Sequence, residues 1–68
     1  MDIVRVALFN ALRQSFDYLL PPTLAELPPR PGQRVLVPLG RGRQIGIALE
    51  CVAQSDVARE RLRPLEAV

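Results

Sequence analysis

The chain contains no histidine, lysine or tryptophan, and it has a single cysteine among its 68 residues. Without histidine it cannot build a serine–histidine–aspartate triad of the ordinary kind or a histidine-based metal centre. Cys51 on its own can form neither an internal disulfide nor a metal site, and this is typical of a protein from a reducing cytoplasm. We therefore expect a metal-free cytoplasmic protein in which Cys51 is a small core residue.

Motifs for nucleotide and membrane binding are also missing. There is no G-x-x-x-x-G-K-[ST] loop, so the chain cannot hold a nucleoside triphosphate as motor proteins do. The run Gly40-Arg41-Gly42 lacks the third glycine and the long helix of a dinucleotide-binding fingerprint. No stretch approaches the ~20 apolar residues of a membrane span, and the amino terminus has no signal-peptide pattern. These absences predict a protein that is not an enzyme and does not enter a membrane.

The chain is short, and its positive charge is concentrated in one segment. Its length allows one domain with a small core, and a hydrophobic content of 49% is sufficient for a folded module. The net charge is only +2, and every basic residue is arginine. Residues 30–43 carry four arginines and no acid, which gives this segment a local attraction for phosphate that the net charge does not indicate.

Apolar runs separated by glycine and proline predict an all-β fold. We expect four strands, at Ile3–Leu8, Phe16–Leu20, Arg34–Pro38 and Gln44–Val52. In the last strand Ile45, Ile47, Leu49 and Cys51 share one apolar face, and Gly46 predicts a bulge or a close backbone approach. Minor helical turns are expected after a Thr23 cap and from Ser55 to Arg63. The predicted architecture is a small, partly open β-barrel of the OB-like type with minor helix.

The strand at Phe16–Leu20 carries one acid between two aromatics. Because side chains alternate along a strand, Phe16, Tyr18 and Leu20 share one face and Asp17 points to the other. We expect Phe16 in the core and Tyr18 shared between the core and the surface, with its hydroxyl at the edge. Asp17 has no neighbouring carboxylate in the sequence for acid–base chemistry, which again favours a binding role over catalysis.

Three motifs in this order resemble one protein family. They are Phe16-Asp17-Tyr18-Leu19-Leu20-Pro21, then Arg34-Val35-Leu36-Val37-Pro38-Leu39-Gly40, then Ile45-Gly46-Ile47. Together they resemble the amino-terminal 3′-DNA-binding segment of the bacterial primosomal replication-restart helicases, the PriA family. The resemblance covers nearly the whole chain. It implies a domain that captures the 3′-hydroxyl end of a nascent leading strand at a stalled replication fork.

The resemblance also implies a pocket for the terminal nucleotide, formed by Phe16, Asp17, Tyr18 and Gly40. An ionised aspartate only accepts hydrogen bonds, so it can accept one from a free hydroxyl and repel a phosphate. The alternative is that Asp17 is a solvated strand residue or a backbone cap, and that Gly40 is only a turn glycine. Phosphate contacts are predicted for three basic side chains near the hairpin and the carboxyl terminus, which are Arg41, Arg43 and Arg63. The alternative for Arg41 and Arg43 is a solvated hairpin tip.

One position departs from the family pattern. The family usually has Leu-Lys in its last matching motif, and this chain has Leu65-Glu66. Glu66 cannot replace a lysine in the pocket, so Arg63 would have to compensate. Residues 65–68 also resemble a strand cut from its continuation, from which we expect an unpaired edge and self-association.

The resemblance sets the wider context as well. Residues 1–68 are expected to be one 3′-DNA-binding domain, truncated on its carboxyl-terminal side and associated with the bacterial nucleoid. ATP and zinc are expected only in the parent helicase, and this domain needs no cofactor. DNA with a free 3′-hydroxyl is the expected partner; other primosome proteins and single-stranded DNA-binding protein would be contacted through the parent. Two alternatives remain open, namely a small β-barrel that binds protein through Pro28–Pro31, and a structural fragment without activity.

Overall fold

Four antiparallel strands form one sheet in the computed structural model, which describes residues 2–8 and 14–68. The strands are β1 Ile3–Leu8, β2 Ser15–Leu19, β3 Arg34–Leu39 and β4 Gly42–Val52, and their order in the sheet is β2-β1-β4-β3. All four predicted strands are confirmed, with ends that differ by two residues at most. The loop or helical turn predicted over residues 9–14 lies almost entirely outside the described residues.

Residues 63–67, called the closing segment below, connect the two edges of this sheet. Leu19 at the β2 edge donates its N–H to the Arg63 carbonyl and accepts from the Leu65 N–H, both at 2.9 Å. Leu36 at the β3 edge donates to the Ala67 carbonyl and accepts from the Glu66 N–H, again at 2.9 Å. The segment therefore closes the sheet toward a barrel, which agrees with the predicted all-β, OB-like architecture. The prediction of an unpaired edge at residues 65–68 is wrong, because this segment is hydrogen-bonded to both edge strands.

Valines dominate the interior of the barrel. Val4 and Val6 on β1 and Val35 and Val37 on β3 are essentially inaccessible to solvent. Their branched side chains fit the pleated surface of a sheet, which is why these short strands form where they do. The buried cluster also contains the following residues: Leu8, Tyr18, Ala48 and Leu65. Burying Leu65 gives the closing segment an apolar anchor in addition to its hydrogen bonds.

The face of β4 that contacts the core consists of small residues. Gly46 and Ala48 point inward, whereas Ile45 and Leu49 are 55% and 42% exposed. The apolar face predicted along this strand is thus largely the outer one. Leu49 is an extra residue, because Arg5 pairs with Glu50 and the next residue of β1 pairs with Ala48. This bulge changes the alternation and brings Cys51 back toward the core, where its side chain is half-buried against the cluster.

Gly46 makes the close backbone approach that its position predicts. A Cβ atom placed there would lie 2.5 Å from Val6 Cγ1 and 2.8 Å from the Ala7 carbonyl oxygen. No side chain fits at this distance, so β1 and β4 can pack together only over a glycine. The bulge itself lies three residues further along β4.

The predicted helical turns form only as short 3₁₀ segments. The first spans Pro22–Leu24 with Pro21 at its amino-terminal cap and no side-chain cap bond, so the predicted Thr23 capping box is wrong. The second spans Arg59–Arg61, where a helix from Ser55 to Arg63 had been expected. Within residues 2–8 and 14–68 no helix is long and apolar enough to cross a membrane. The helical content of the fold is therefore smaller than predicted.

Candidate functional site

A cleft of about 690 Å³ opens beside the β2 edge of the barrel. One wall is β2, and the second is the end of β3 with the turn after it. The third wall is formed by residues 56–63, which lead from β4 into the closing segment. Its volume lies within the ~300–1,000 Å³ typical of clefts that hold small organic ligands. The lining residues are Arg5, Ser15, Phe16, Asp17, Tyr18, Pro38, Leu39, Gly40, Asp56, Val57, Arg61, Leu62 and Arg63. All four residues predicted to hold the terminal nucleotide are among them.

The Asp17 carboxylate is fixed by a donor on each of its oxygens. Arg5 Nε lies 3.1 Å from Oδ1, and Ser55 Oγ lies 2.5 Å from Oδ2. The side chain is only 12% exposed, which differs from the freely solvated residue that the strand alternation allows. Each carboxylate oxygen has two acceptor positions, so one on each oxygen is not used by these two bonds. Asp17 can therefore accept a further hydrogen bond from the cleft without losing either partner.

Arg5 links this carboxylate to β4. It lies directly opposite Asp17 on one neighbouring strand and opposite Glu50 on the other, and its Nη1 is 3.2 Å from the Glu50 carboxylate. The Asp17 hydrogen bond and charge raise the pKa of Arg5 above its ordinary value, with a smaller contribution from Glu50. An arginine is protonated in proteins in any case, and these two carboxylates stabilise the charged form of Arg5 further.

The two aromatic residues of β2 have the opposite roles to those predicted. Tyr18 is the core residue, only 4% exposed, and its hydroxyl donates to the Pro38 carbonyl at 2.9 Å. Phe16 is half-buried at the cleft wall, although both face the core as the alternation predicts. Burial raises the pKa of Tyr18, and the nearby charge of Arg63 offsets part of that increase. Of these two rings, Phe16 has the more accessible surface for a ligand.

Gly40 begins the two-residue turn between β3 and β4. Its φ of +57° is a left-handed conformation that favours glycine, and a Cβ atom there would meet no atom within 4 Å. The requirement for glycine in the described fold is therefore conformational. Arg63 Nη1 donates to the Gly40 carbonyl at 2.9 Å, so this turn is tied to the closing segment. That bond fixes the third wall of the cleft relative to the second.

The predicted phosphate-binding arginines meet in a second, shallower cleft of about 330 Å³. Arg41, Arg43 and Arg63 all line it, and Arg63 lines the first cleft too. Arg43 is not independent, because its Nε lies 3.5 Å from a carboxylate oxygen of Glu66. Glu66, which stands where the family usually has lysine, therefore faces the hairpin between β3 and β4. It does not line the first cleft.

Several residues of the first cleft are missing from the sequence-based site. Arg5, Asp56 and Arg61 come from distant parts of the chain and line the cleft. Ser55 does not line it, but the fold brings its hydroxyl to Asp17. Pairing of β1 with β2 could have indicated Arg5, since it is the only charge on its strand. Asp56 is a second carboxylate among the residues that line the cleft. No signal in the sequence distinguishes Ser55 from an ordinary loop serine.

The electrostatics of the first cleft favour an anionic ligand with a hydrogen-bond donor. Three arginines and two aspartates line it, which leaves an excess of one positive charge. Among the residues that the structure describes, no group of three or more metal-ligating side chains occurs. The cleft combines a fixed acceptor, an aromatic face and arginine cations, which suits binding of a nucleotide better than bond cleavage.

A small, partly open β-barrel with two adjoining clefts lined by arginines is the class of protein that the fold and the site define. Comparison with known proteins gives the particular family. A family model for the PriA 3′ DNA-binding domain (3′BD) matches residues 5–68. The chain is also 37% identical over 65 residues to the replication restart protein PriA of Haemophilus influenzae, covering 96% of this chain and 8% of that protein. No solved structure gives a significant match. The chain therefore belongs to the PriA 3′-DNA-binding domain family, and it is a DNA-binding rather than a catalytic domain.

Proposed function

We propose that this domain binds the 3′-hydroxyl end of the nascent leading strand at a stalled replication fork. The family to which the chain belongs is a 3′ DNA-binding family, and the Haemophilus influenzae relative is a replication restart protein. The observation that carries the proposal is the Asp17 carboxylate, fixed by two donors at the wall of a cleft that holds an excess of positive charge. Such a cleft suits a ligand with both a free hydroxyl and a phosphate.

Asp17 is the selective group in this proposal. The terminal 3′-hydroxyl donates a hydrogen bond to one of the two free acceptor positions on the carboxylate. A 3′-phosphate at the same place offers negative charge instead and is repelled, as is an internal phosphodiester. Since the carboxylate is already oriented by Arg5 and Ser55, little side-chain entropy is lost when the hydroxyl binds.

The remaining predicted residues hold the rest of the nucleotide. Phe16 offers its half-buried ring to the terminal base, and such stacking contributes about 1–3 kcal/mol per base. Tyr18 supports this wall from the core, and Gly40 leaves the space above the turn open. Arg63 contacts the phosphate between the last two nucleotides, and Arg41 with Arg43 contacts phosphates further from the end. In this arrangement the strand leaves the first cleft across the second.

The test compares single strands that differ only at the 3′ terminus, one with a hydroxyl and one with a phosphate. Fluorescence anisotropy gives the dissociation constant of each for the parent domain, Asp17→Ala and Asp17→Asn. Loss of a hydrogen bond to a charged group costs about 1.5–3 kcal/mol, so Asp17→Ala should weaken hydroxyl-end binding by roughly one to two decades. Binding of the phosphate end should be unchanged or stronger.

Asp17→Asn separates charge from shape. The amide keeps one acceptor and the size of the carboxylate, so part of the hydroxyl-end affinity should remain while the repulsion of the phosphate end disappears. Circular dichroism confirms the fold of each variant beforehand. A folded Asp17→Ala domain with the parent's full preference for hydroxyl ends would overturn the proposal and leave Asp17 as a structural partner of Arg5.

The proposal places the domain in a larger protein, since the chain spans 8% of the length of its curated relative. We propose that the whole protein is an ATP-dependent replication-restart helicase of the bacterial cytoplasm that associates with the nucleoid. ATP and zinc would then be bound outside these residues, and this domain would need neither. Contacts with other primosome proteins and with single-stranded DNA-binding protein would be made through the parent protein.

A protein-interaction module is the second candidate, and one observation favours it. A groove of about 570 Å³ is lined by Leu24, Leu27, Pro28, Ala67 and Val68 together with Arg30, Gln33 and Glu66, and Leu27 is 83% exposed. Exposed apolar residues rimmed by polar ones are typical of protein contacts. If this were the main function, neither strand would bind with measurable affinity in the anisotropy experiment. Binding of the hydroxyl-end strand excludes it as the main function.

A further inference from the structure

The connection that follows β4 contacts the candidate site through the side chain of Ser55. The Ser55 hydroxyl donates to Asp17 Oδ2 and accepts from the Val57 N–H at 3.1 Å. Ser55 is 38 residues from Asp17 in the sequence, and it was expected only to cap a helix. That helix does not form, so the serine bonds a local backbone group and a carboxylate across the fold instead.

We propose that Ser55 is a positioning residue that orients the Asp17 carboxylate for hydroxyl recognition; this inference rests on the function proposed above. A serine hydroxyl has one proton, and it is directed to Oδ2 because an ionised carboxylate can only accept. A lone pair of the same hydroxyl oxygen accepts from the Val57 N–H. Arg5 holds Oδ1 from the opposite side at 3.1 Å. The two donors together select one rotation of the carboxylate and leave one acceptor position on each oxygen for the ligand.

Ser55 is the better of these two donors to test. Removing Arg5 changes the charge beside Asp17 and also removes the ion pair of Glu50. The effect of such a variant would combine a change in orientation with a change in electrostatics. Removing the Ser55 hydroxyl changes no charge. The serine is half-buried and lies on a connection without regular structure, so its loss leaves the barrel ladders intact.

The experiment measures both strands with Ser55→Ala, Ser55→Thr and the matched control Gln54→Ala. Gln54 is the exposed neighbour of Ser55 and does not line the first cleft. We expect Ser55→Ala to weaken hydroxyl-end binding by about two- to tenfold, because a freed carboxylate must be ordered again by the ligand. Phosphate-end binding should not weaken. Ser55→Thr keeps the hydroxyl and should restore the parent's preference, and Gln54→Ala should leave both constants unchanged.

A double variant separates this inference from the proposed function. If Ser55 acts through Asp17, adding Ser55→Ala to Asp17→Ala should change neither dissociation constant further. Four results would overturn the inference. They are an unchanged preference in Ser55→Ala, an equal loss for both strands, an additive loss in the double variant, or tighter hydroxyl-end binding by Ser55→Ala. The last would mean that Ser55 competes with the ligand. A failure of Asp17→Ala itself to alter the preference would refute the proposed function instead.

Discussion

Replacing Gly46 by alanine tests the packing that holds the barrel together. Gly46 lies on the central strand β4 between Leu8 on β1 and Val35 on β3. A Cβ atom at this position would lie 2.5 Å from Val6 Cγ1 and 2.8 Å from both the Ala7 carbonyl oxygen and Leu8 Cδ2. A side chain can rotate away, but the carbonyl belongs to the neighbouring strand. The alanine variant therefore has to move β1 away from β4.

The expected loss is large relative to the total stability. Overpacking of a filled core costs about 1–3 kcal/mol. A domain of 68 residues has a free energy of unfolding of about 3–10 kcal/mol at ~0.05–0.15 kcal/mol per residue. Each kcal/mol lowers the melting temperature of a domain this size by roughly 4–8 °C. Gly46→Ala should therefore lower it by about 4–24 °C.

Gly42→Ala is the matched control, because it lies on the same strand and its Cβ would be 4.0 Å from the nearest atom, the Leu39 carbonyl oxygen. Both variants stiffen the unfolded chain by the same amount, about 0.4–1 kcal/mol, so the difference between them isolates the clash. Thermal and urea denaturation followed by circular dichroism measure that difference. Equal melting temperatures for the two variants would refute the close packing of β1 against β4.

The remaining predictions concern pH and salt. Because burial raises the pKa of Tyr18 above its ordinary value of 10.0, its contribution to stability should be complete below that pH and be lost as pH rises through the folded pKa. Tyr18→Phe should abolish this alkaline loss, and phenolate absorbance of this single tyrosine should track it; a tyrosine that ionises at its ordinary pH would contradict the prediction. If Arg41 and Arg43 contact phosphate, replacing each by alanine should reduce the slope of log K against log salt by about 0.7 for a single strand. An unchanged slope in the double variant would remove the hairpin from the binding surface.

Local patterns predicted the strands because β1 and β3 are rich in β-branched valine, and because Pro21 and Gly40 follow the apolar runs of β2 and β3. The same local patterns failed where the answer depends on the rest of the fold. The pattern along β4 predicted the strand correctly and its buried face wrongly. The bulge at Leu49 depends on pairing between distant residues, which alternation within β4 does not encode. The closing segment shows the same limit, since two isolated bridges, at Leu19–Pro64 and Leu36–Ala67, pair it with both sheet edges.

The site was predictable in its centre and not at its rim. Asp17 and Gly40 could be selected from the motifs that carry the family resemblance, and the fold brings both to one cleft. The two donors to Asp17 could not be selected from the sequence, because Arg5 reaches it by strand pairing and Ser55 by the path of an irregular connection. The side chains that donate to Asp17 are therefore determined by tertiary structure rather than by sequence spacing.

The acid at position 66 shows how the rim differs from the centre. Glu66 faces Arg43, so the second cleft has three arginines and one acid and keeps an excess of two positive charges. Arg63 lines both clefts and is held by the Gly40 carbonyl, which fixes a cation at their junction. We propose that a ligand occupying both clefts passes this guanidinium, and that Arg63 supplies the positive charge that a lysine at position 66 would have given.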